Sequence, residues 1–258
     1  MFLQKNLMPE KQPTLKRILR DFWRFLLKPT YEDQACDFSI RLALQLFLAL
    51  FIIRSVGIIL EIKAFQPLVL HFTGEVLQKQ EQVSGSLAAF LIGSLLSAPV
   101  FEELAYRWGL RFSPLRVAVS LGLIAFYWLP YGGSYSTTIV EVLDDPGFYL
   151  MVGIALVVGF TIYALLRISF FEQTIRYWWT QRFGWVFYTS SLLFGLMHIF
   201  NVREVTATVV SLAFFITFQQ ITMGLFNGYV RMRYGFGQAI LQHALFNLVF
   251  VLIHIGEY

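Results

Sequence analysis

The sequence predicts an all-α membrane protein: a polytopic bundle of about seven transmembrane helices with its N-terminus in the cytosol. Three observations carry this. Hydrophobic residues make up 57% of the 258 and charged residues only 14%, where a soluble domain is about a quarter charged. The apolar residues fall in runs long enough to cross a ~30 Å hydrocarbon layer. Those runs are too continuous for barrel strands, which leaves the helix as the form that pairs every backbone group in lipid. Lys and Arg then concentrate in alternate connections. The single Cys36 excludes an internal disulfide and a multi-cysteine zinc site.

Residues 1–38 read as a cytosolic arm, without the apolar core of a secretory signal. Over 14–28, Leu15, Ile18, Leu19, Phe22 and Leu26 recur at helical spacing opposite a basic face. That predicts an amphipathic helix lying on the membrane surface; a helix packed on a protein partner is the alternative. Seven apolar segments follow, near 39–60, 84–111, 114–131, 147–170, 185–201, 205–230 and 235–256. A re-entrant piece around 64–72 would be an eighth. Seven basic residues stand in the first 38. Arg107, Arg111 and Arg116 mark the connection after the second segment, Arg167, Arg176 and Arg182 that after the fourth, and Arg231 and Arg233 that after the sixth. The intervening connections hold only Lys63, Lys79 and Arg203, and 131–146 carries Glu141, Asp144 and Asp145. Basic loops stay cytosolic, so the chain starts inside and ends outside after an odd number of spans. With no repeat or flexible linker, 39–258 reads as one transmembrane domain.

Ionisable groups within spans are costly, which makes them functional candidates. Glu102 and Glu103 interrupt the second segment at a joint penalty of roughly 5–7 kcal/mol if both are charged. Arg107, four residues after Glu103, lies on its helix face and can pair with it. Glu102 is turned about 100° away and is left to face the bundle interior, where a carboxylate can act as general base. Pro99 should kink the helix just upstream. Phe194 with His198, and His243 with Asn247, each form an i, i+4 stripe. His198 could share a water with Glu102, while His243 and Asn247 could donate to a developing oxyanion. At ~1.5 Å of rise per residue from the inner-edge arginines, all of these fall in one broad middle layer. Arg41 and Arg54 both fall in the first span; Arg54, well inside it, is odd there and is expected to pair with a carboxylate or to snorkel. Gly224 and Gly228 make a GxxxG step that suits a close helix contact. Trp178 and Trp179 suit the inner interface, His71 a solvated loop and His254 interfacial packing.

The three motifs resemble the CPBP family of intramembrane proteases, which includes type II CAAX prenyl endopeptidases and bacterial bacteriocin-processing or immunity (Abi) proteins. The family pattern EExxxR, FxxxH, HxxxN stands here as Glu102-Glu103-Leu-Ala-Tyr-Arg107, Phe194-Gly-Leu-Met-His198 and His243-Ala-Leu-Phe-Asn247. The resemblance covers roughly 84–112 and 183–250. Many members carry Gly directly after the motif arginine; this chain has Trp108, then Gly109. Glu102 and His198 are 96 residues apart, and residues 113–176 read as an inserted helical pair.

The resemblance implies peptide-bond hydrolysis within the membrane. Glu102 with His198 would activate water, His243 and Asn247 would stabilise the tetrahedral oxyanion, and Glu103 with Arg107 would position the site. If the enzyme binds a metal, as the family's metalloprotease label implies, Glu102, His198 and His243 are the zinc ligands to expect. A metal-free glutamate mechanism fits equally, there being no HExxH. The expected partners are membrane lipid and a peptide or protein substrate, lipidated in the family's eukaryotic precedent, and the expected location is a bacterial plasma membrane. Two other classes stay open: a non-catalytic scaffold or immunity protein on the same fold, and a proton-coupled transporter, against which the chain shows no internal repeat. Nucleic acid is not an expected partner, because the basic residues are inner-loop markers.

Overall fold

The structure, a computed structural model, describes residues 13–31, 39–78, 86–129 and 145–254. Cys36, most of the 131–146 connection and the side chain of His254 lie outside the described residues.

The described residues form a helical membrane bundle without sheet. α1 (Leu15–Leu27) starts where the Thr14 side chain accepts the Arg17 N–H, a standard N-cap. Its apolar face is not turned to lipid. Ile18, Phe22 and Phe25 are buried in the protein core, with Phe22 edge-on to Phe226 and Phe25 edge-on to Phe187, both at 5.1 Å. The arm's helix thus docks on its own bundle.

α2 (Ile40–Thr73) is one helix of 34 residues. The piece around 64–72 is neither a loop nor re-entrant but the continuation of the first span, and it carries His71 on an exposed helix face. The chain crosses Pro67 because a π turn, Glu61–Phe65, immediately precedes it. Gly74, at φ 75°, then ends the helix in the left-handed region that favours glycine. α3 (Leu87–Leu110) repeats the device, with a π turn at Gly93–Ser97 ahead of Pro99. Proline removes a backbone donor and crowds the preceding turn, and the wider π turn absorbs both effects.

α4 (Pro114–Trp128) is apolar but short. It packs on α5 (Pro146–Leu166), where a Cβ on Gly122 would stand 2.8 Å from the Ala155 carbonyl oxygen. α5 ends at Leu166 rather than 170. α6 (Ser169–Gln181) precedes α7 (Phe183–Asn201), whose last turn tightens to a 3₁₀ helix at His198–Asn201. The expected span at 205–230 is broken into α8 (Ala207–Ser211), α9 (Ala213–Ile216) and α10 (Phe218–Arg233). α11 (Phe236–His254) completes the described chain.

By length and composition, α2, α3, α5, α7 and α11 can each cross a membrane. α10 is more polar, yet Gln219, Asn227, Tyr229 and Arg231 are buried along it. Its neighbours are protein instead of lipid: it sits at the centre of the bundle, against α1, α2, α7 and α11. That placement gives its polar side chains partners and explains its weak hydropathy signal.

Candidate active site

The site is assembled from α3, α7, α10 and α11. Neighbouring residues on a helix point about 100° apart, and the two glutamates divide accordingly. Glu103 is fully buried, while the Glu102 side chain keeps 14% of its exposure. Glu103 Oε1 accepts the Nδ1–H of His243 at 2.9 Å and the Nδ2–H of Asn227 at 3.0 Å. Arg107 Nη1 stands 3.5 Å from the same oxygen. The guanidinium of Arg107 also lies 3.7 Å from the centroid of the Phe194 ring. Two donors and a cation thus converge on one oxygen of the carboxylate, the pairing a buried charge requires, while Oε2 is buried without a hydrogen-bond partner.

Asn227 escaped the sequence motifs. It sits between Gly224 and Gly228, where α10 lies so close to α7 that a Cβ on Gly224 would be 2.7 Å from the Ser191 carbonyl oxygen. An amide within a GxxxG step is a recognisable signal of a buried interhelical hydrogen bond.

His243 lies between the two carboxylates. With Nδ1 on Glu103, its Nε2 is directed to Glu102, 3.7 Å from Oε2. The Phe194 ring stands edge-on to both imidazoles, at 5.0 Å from His198 and 6.0 Å from His243. His198 Nδ1 is 2.9 Å from the Phe194 carbonyl oxygen. A carbonyl only accepts, so Nδ1 carries the proton and the neutral ring keeps Nε2 as its acceptor. Glu102 and His198 make no direct hydrogen bond; they line the same cavity.

Asn247 donates one Nδ2–H to the Ser94 carbonyl oxygen at 2.9 Å. The π turn explains why that oxygen is available. Ala98 donates to Gly93 five residues back, and the next residue, Pro99, has no N–H to offer Ser94. The amide of Asn247 takes the vacant place and retains a second N–H.

The cavity measures about 750 Å³, within the usual range for ligand pockets. Glu102, His198, His243 and Asn247 all line it. Phe126 and Tyr127 from α4 with Phe148 and Met151 from α5 make another wall. Arg54 faces it too, and neither snorkels nor pairs with a carboxylate. Its Nη1 donates to the Gln219 carbonyl oxygen at 3.3 Å, and its guanidinium lies 4.2 Å from the centroid of the Phe246 ring. As for the zinc expectation, no three His, Cys, Asp or Glu side chains among the described residues are arranged to hold a metal ion. The imidazole of His243 is instead spanned between two carboxylates.

A family model described as type II CAAX prenyl endopeptidase Rce1-like matches residues 84–249, well over half of the chain and every residue of the EExxxR, FxxxH and HxxxN motifs. No curated protein and no solved structure matches.

Proposed function

Because this chain belongs to the Rce1-like type II CAAX prenyl endopeptidase family, we propose that it is an intramembrane endopeptidase in which Glu102 activates the water that attacks the peptide bond. Membership supports proteolysis within a membrane at the level of the family. The assignment of steps rests on the cavity shared by Glu102, His198, His243 and Asn247.

A water in that cavity donates one hydrogen to Glu102 and the other to His198 Nε2, leaving its oxygen lone pairs for attack. As the C–O bond forms, Glu102 takes the proton and the carbonyl becomes an oxyanion. The second N–H of Asn247 and the Nε2–H of His243 stabilise that charge. When the C–N bond breaks, Glu102 returns its proton to the departing amine. Glu103 and Arg107 act through His243, fixing its ring. With both nitrogens of His243 protonated, Glu102, Glu103, Arg107 and His243 sum to zero charge, the balance a low-dielectric site favours.

The apolar wall of Phe126, Tyr127, Phe148 and Met151 suits a substrate carrying a lipid chain. The alternation of basic loops supports a cytosolic N-terminus, in what we take to be a bacterial plasma membrane. The test is cleavage of a quenched-fluorescence peptide library by protein purified in detergent. Glu102→Gln should lower kcat by about 10²–10⁴ with an unchanged Tm. Full-rate cleavage by that variant would remove Glu102 as the base. If the wild type cleaves nothing and its cellular role survives the substitution, the scaffold reading replaces this one.

A further inference from the structure

Among the described residues, Arg54 is the one cation on the cavity wall that the proteolytic scheme leaves unused. It sits mid-way along α2, a helix long and apolar enough to span the membrane. None of the described acidic side chains lies within salt-bridge distance of it. Glu61, seven residues further along α2, attracts it only through space. Its contacts are a carbonyl oxygen, the Met223 sulfur at 3.7 Å and the Phe246 ring. These neutral groups orient a guanidinium without compensating its charge. Nε is buried and has no hydrogen-bond partner.

One further observation says where that unspent charge points. Phe246, beneath the guanidinium, precedes Asn247 and follows His243 by three residues. The ring that carries the cation thus lies within one turn of helix of His243 and Asn247, and the cation lines the same cavity as both.

We propose that Arg54 is a carboxylate-binding subsite that seats the substrate beside the scissile bond. Resting on the proteolytic reading, it adds a positional rule: the cleaved bond lies a short, fixed distance from a negative charge. A guanidinium matches a carboxylate through paired N–H donors, and in an apolar cavity its strength is little screened. The carboxylate comes either from the peptide's C-terminus or from an Asp or Glu side chain.

Binding can be measured without turnover on Glu102→Gln in nanodiscs. The probe is a randomised peptide pool with a neutral fluorophore, prepared with a free C-terminal acid and as the C-terminal amide, each with and without internal Asp and Glu. The acid pool should bind about ten- to a hundredfold more tightly than the amide. Arg54→Gln should abolish that ratio, and Arg54→Lys should retain part of it. If amidation is silent but removal of internal Asp and Glu costs the same factor only when Arg54 is present, the subsite stands with a side chain as its ligand. Equal binding of all pools to the Arg54 protein overturns the proposal. Should Arg54→Gln fail to fold, the acid-to-amide ratio on the unaltered Arg54 and on Arg54→Lys still decides. Because this readout needs no cleavage, failure of the hydrolytic reading would show separately, as absent turnover by the wild type.

Discussion

Two adjacent carboxylates, Glu102 and Glu103, stand in opposite environments because one helical step separates a cavity wall from a buried interior. Their isosteric substitutions should therefore separate cleanly. Glu102→Gln is expected to lower kcat by about 10²–10⁴ at unchanged Tm. Glu103→Gln should cost about 3–5 kcal/mol, since it leaves the buried Arg107 charge uncompensated; thermal or denaturant unfolding in detergent reads that difference. Asn227→Ala, which removes one donor to Glu103, should cost about 1.5–3 kcal/mol and lower kcat through a less firmly held His243. The glutamates, arginine and histidines were legible from motif spacing. Asn227 was not: the GxxxG step around it signals a buried interhelical hydrogen bond, but the partner lies 124 residues away in sequence and nothing local identifies it. Arg54 was visible as an anomaly, but its surroundings of carbonyl, sulfur and ring came only from tertiary packing.

At the scale of helices, α3 couples its own irregularity to the site. Asn247→Ala would leave the Ser94 carbonyl oxygen without its side-chain donor, at a cost of about 1–3 kcal/mol. In a Pro99→Ala background the backbone regains an N–H that can serve that oxygen. The stability penalty of Asn247→Ala should then shrink, while the lost activity should not return; a double-mutant cycle in Tm and kcat checks both. The crossing of α7 and α10 is equally specific. A Cβ on Gly195 would lie 2.6 Å from the Ile221 backbone nitrogen, and backbone cannot move aside as a flexible side chain can. Gly195→Ala should destabilise by about 1–3 kcal/mol or more, whereas Gly153→Ala, with nothing within 4 Å, should be neutral in the same unfolding assay. The sequence announced Pro99 but not the π turn, which depends on how neighbouring helices receive the displaced carbonyls.

For the molecule as a whole, hydropathy places α3, α5, α7 and α11 within a few residues of their observed bounds and finds the start of α2 but not its continuation to Thr73. Two elements have other protein around them, which hydropathy does not reveal. The amphipathic α1 is expected on the membrane surface or packed on a protein partner, and its Phe22 and Phe25 complete the aromatic core of its own bundle. α10 was read as part of one long span, yet that stretch breaks twice before its buried portion begins. Orientation is a separate matter, carried by loop charge alone. In a Cys36→Ser background, an impermeant maleimide should label Thr137→Cys on intact cells and Gln181→Cys only after permeabilisation. The reverse pattern would invert the topology.

The central position of α10 bears on how the protein is made. A segment that carries Gln219, Asn227 and Arg231 gains little by leaving the translocon for bare lipid. It emerges late, after α2, α3 and α7 have been synthesised, and the α7 groove and the Glu103 carboxylate offer it what the bilayer does not. Its entry is therefore a templated assembly step, in which the same contacts that complete the site also recruit the helix. Variants that weaken those contacts should accordingly lose protein to quality control during synthesis, before any defect in turnover could be measured.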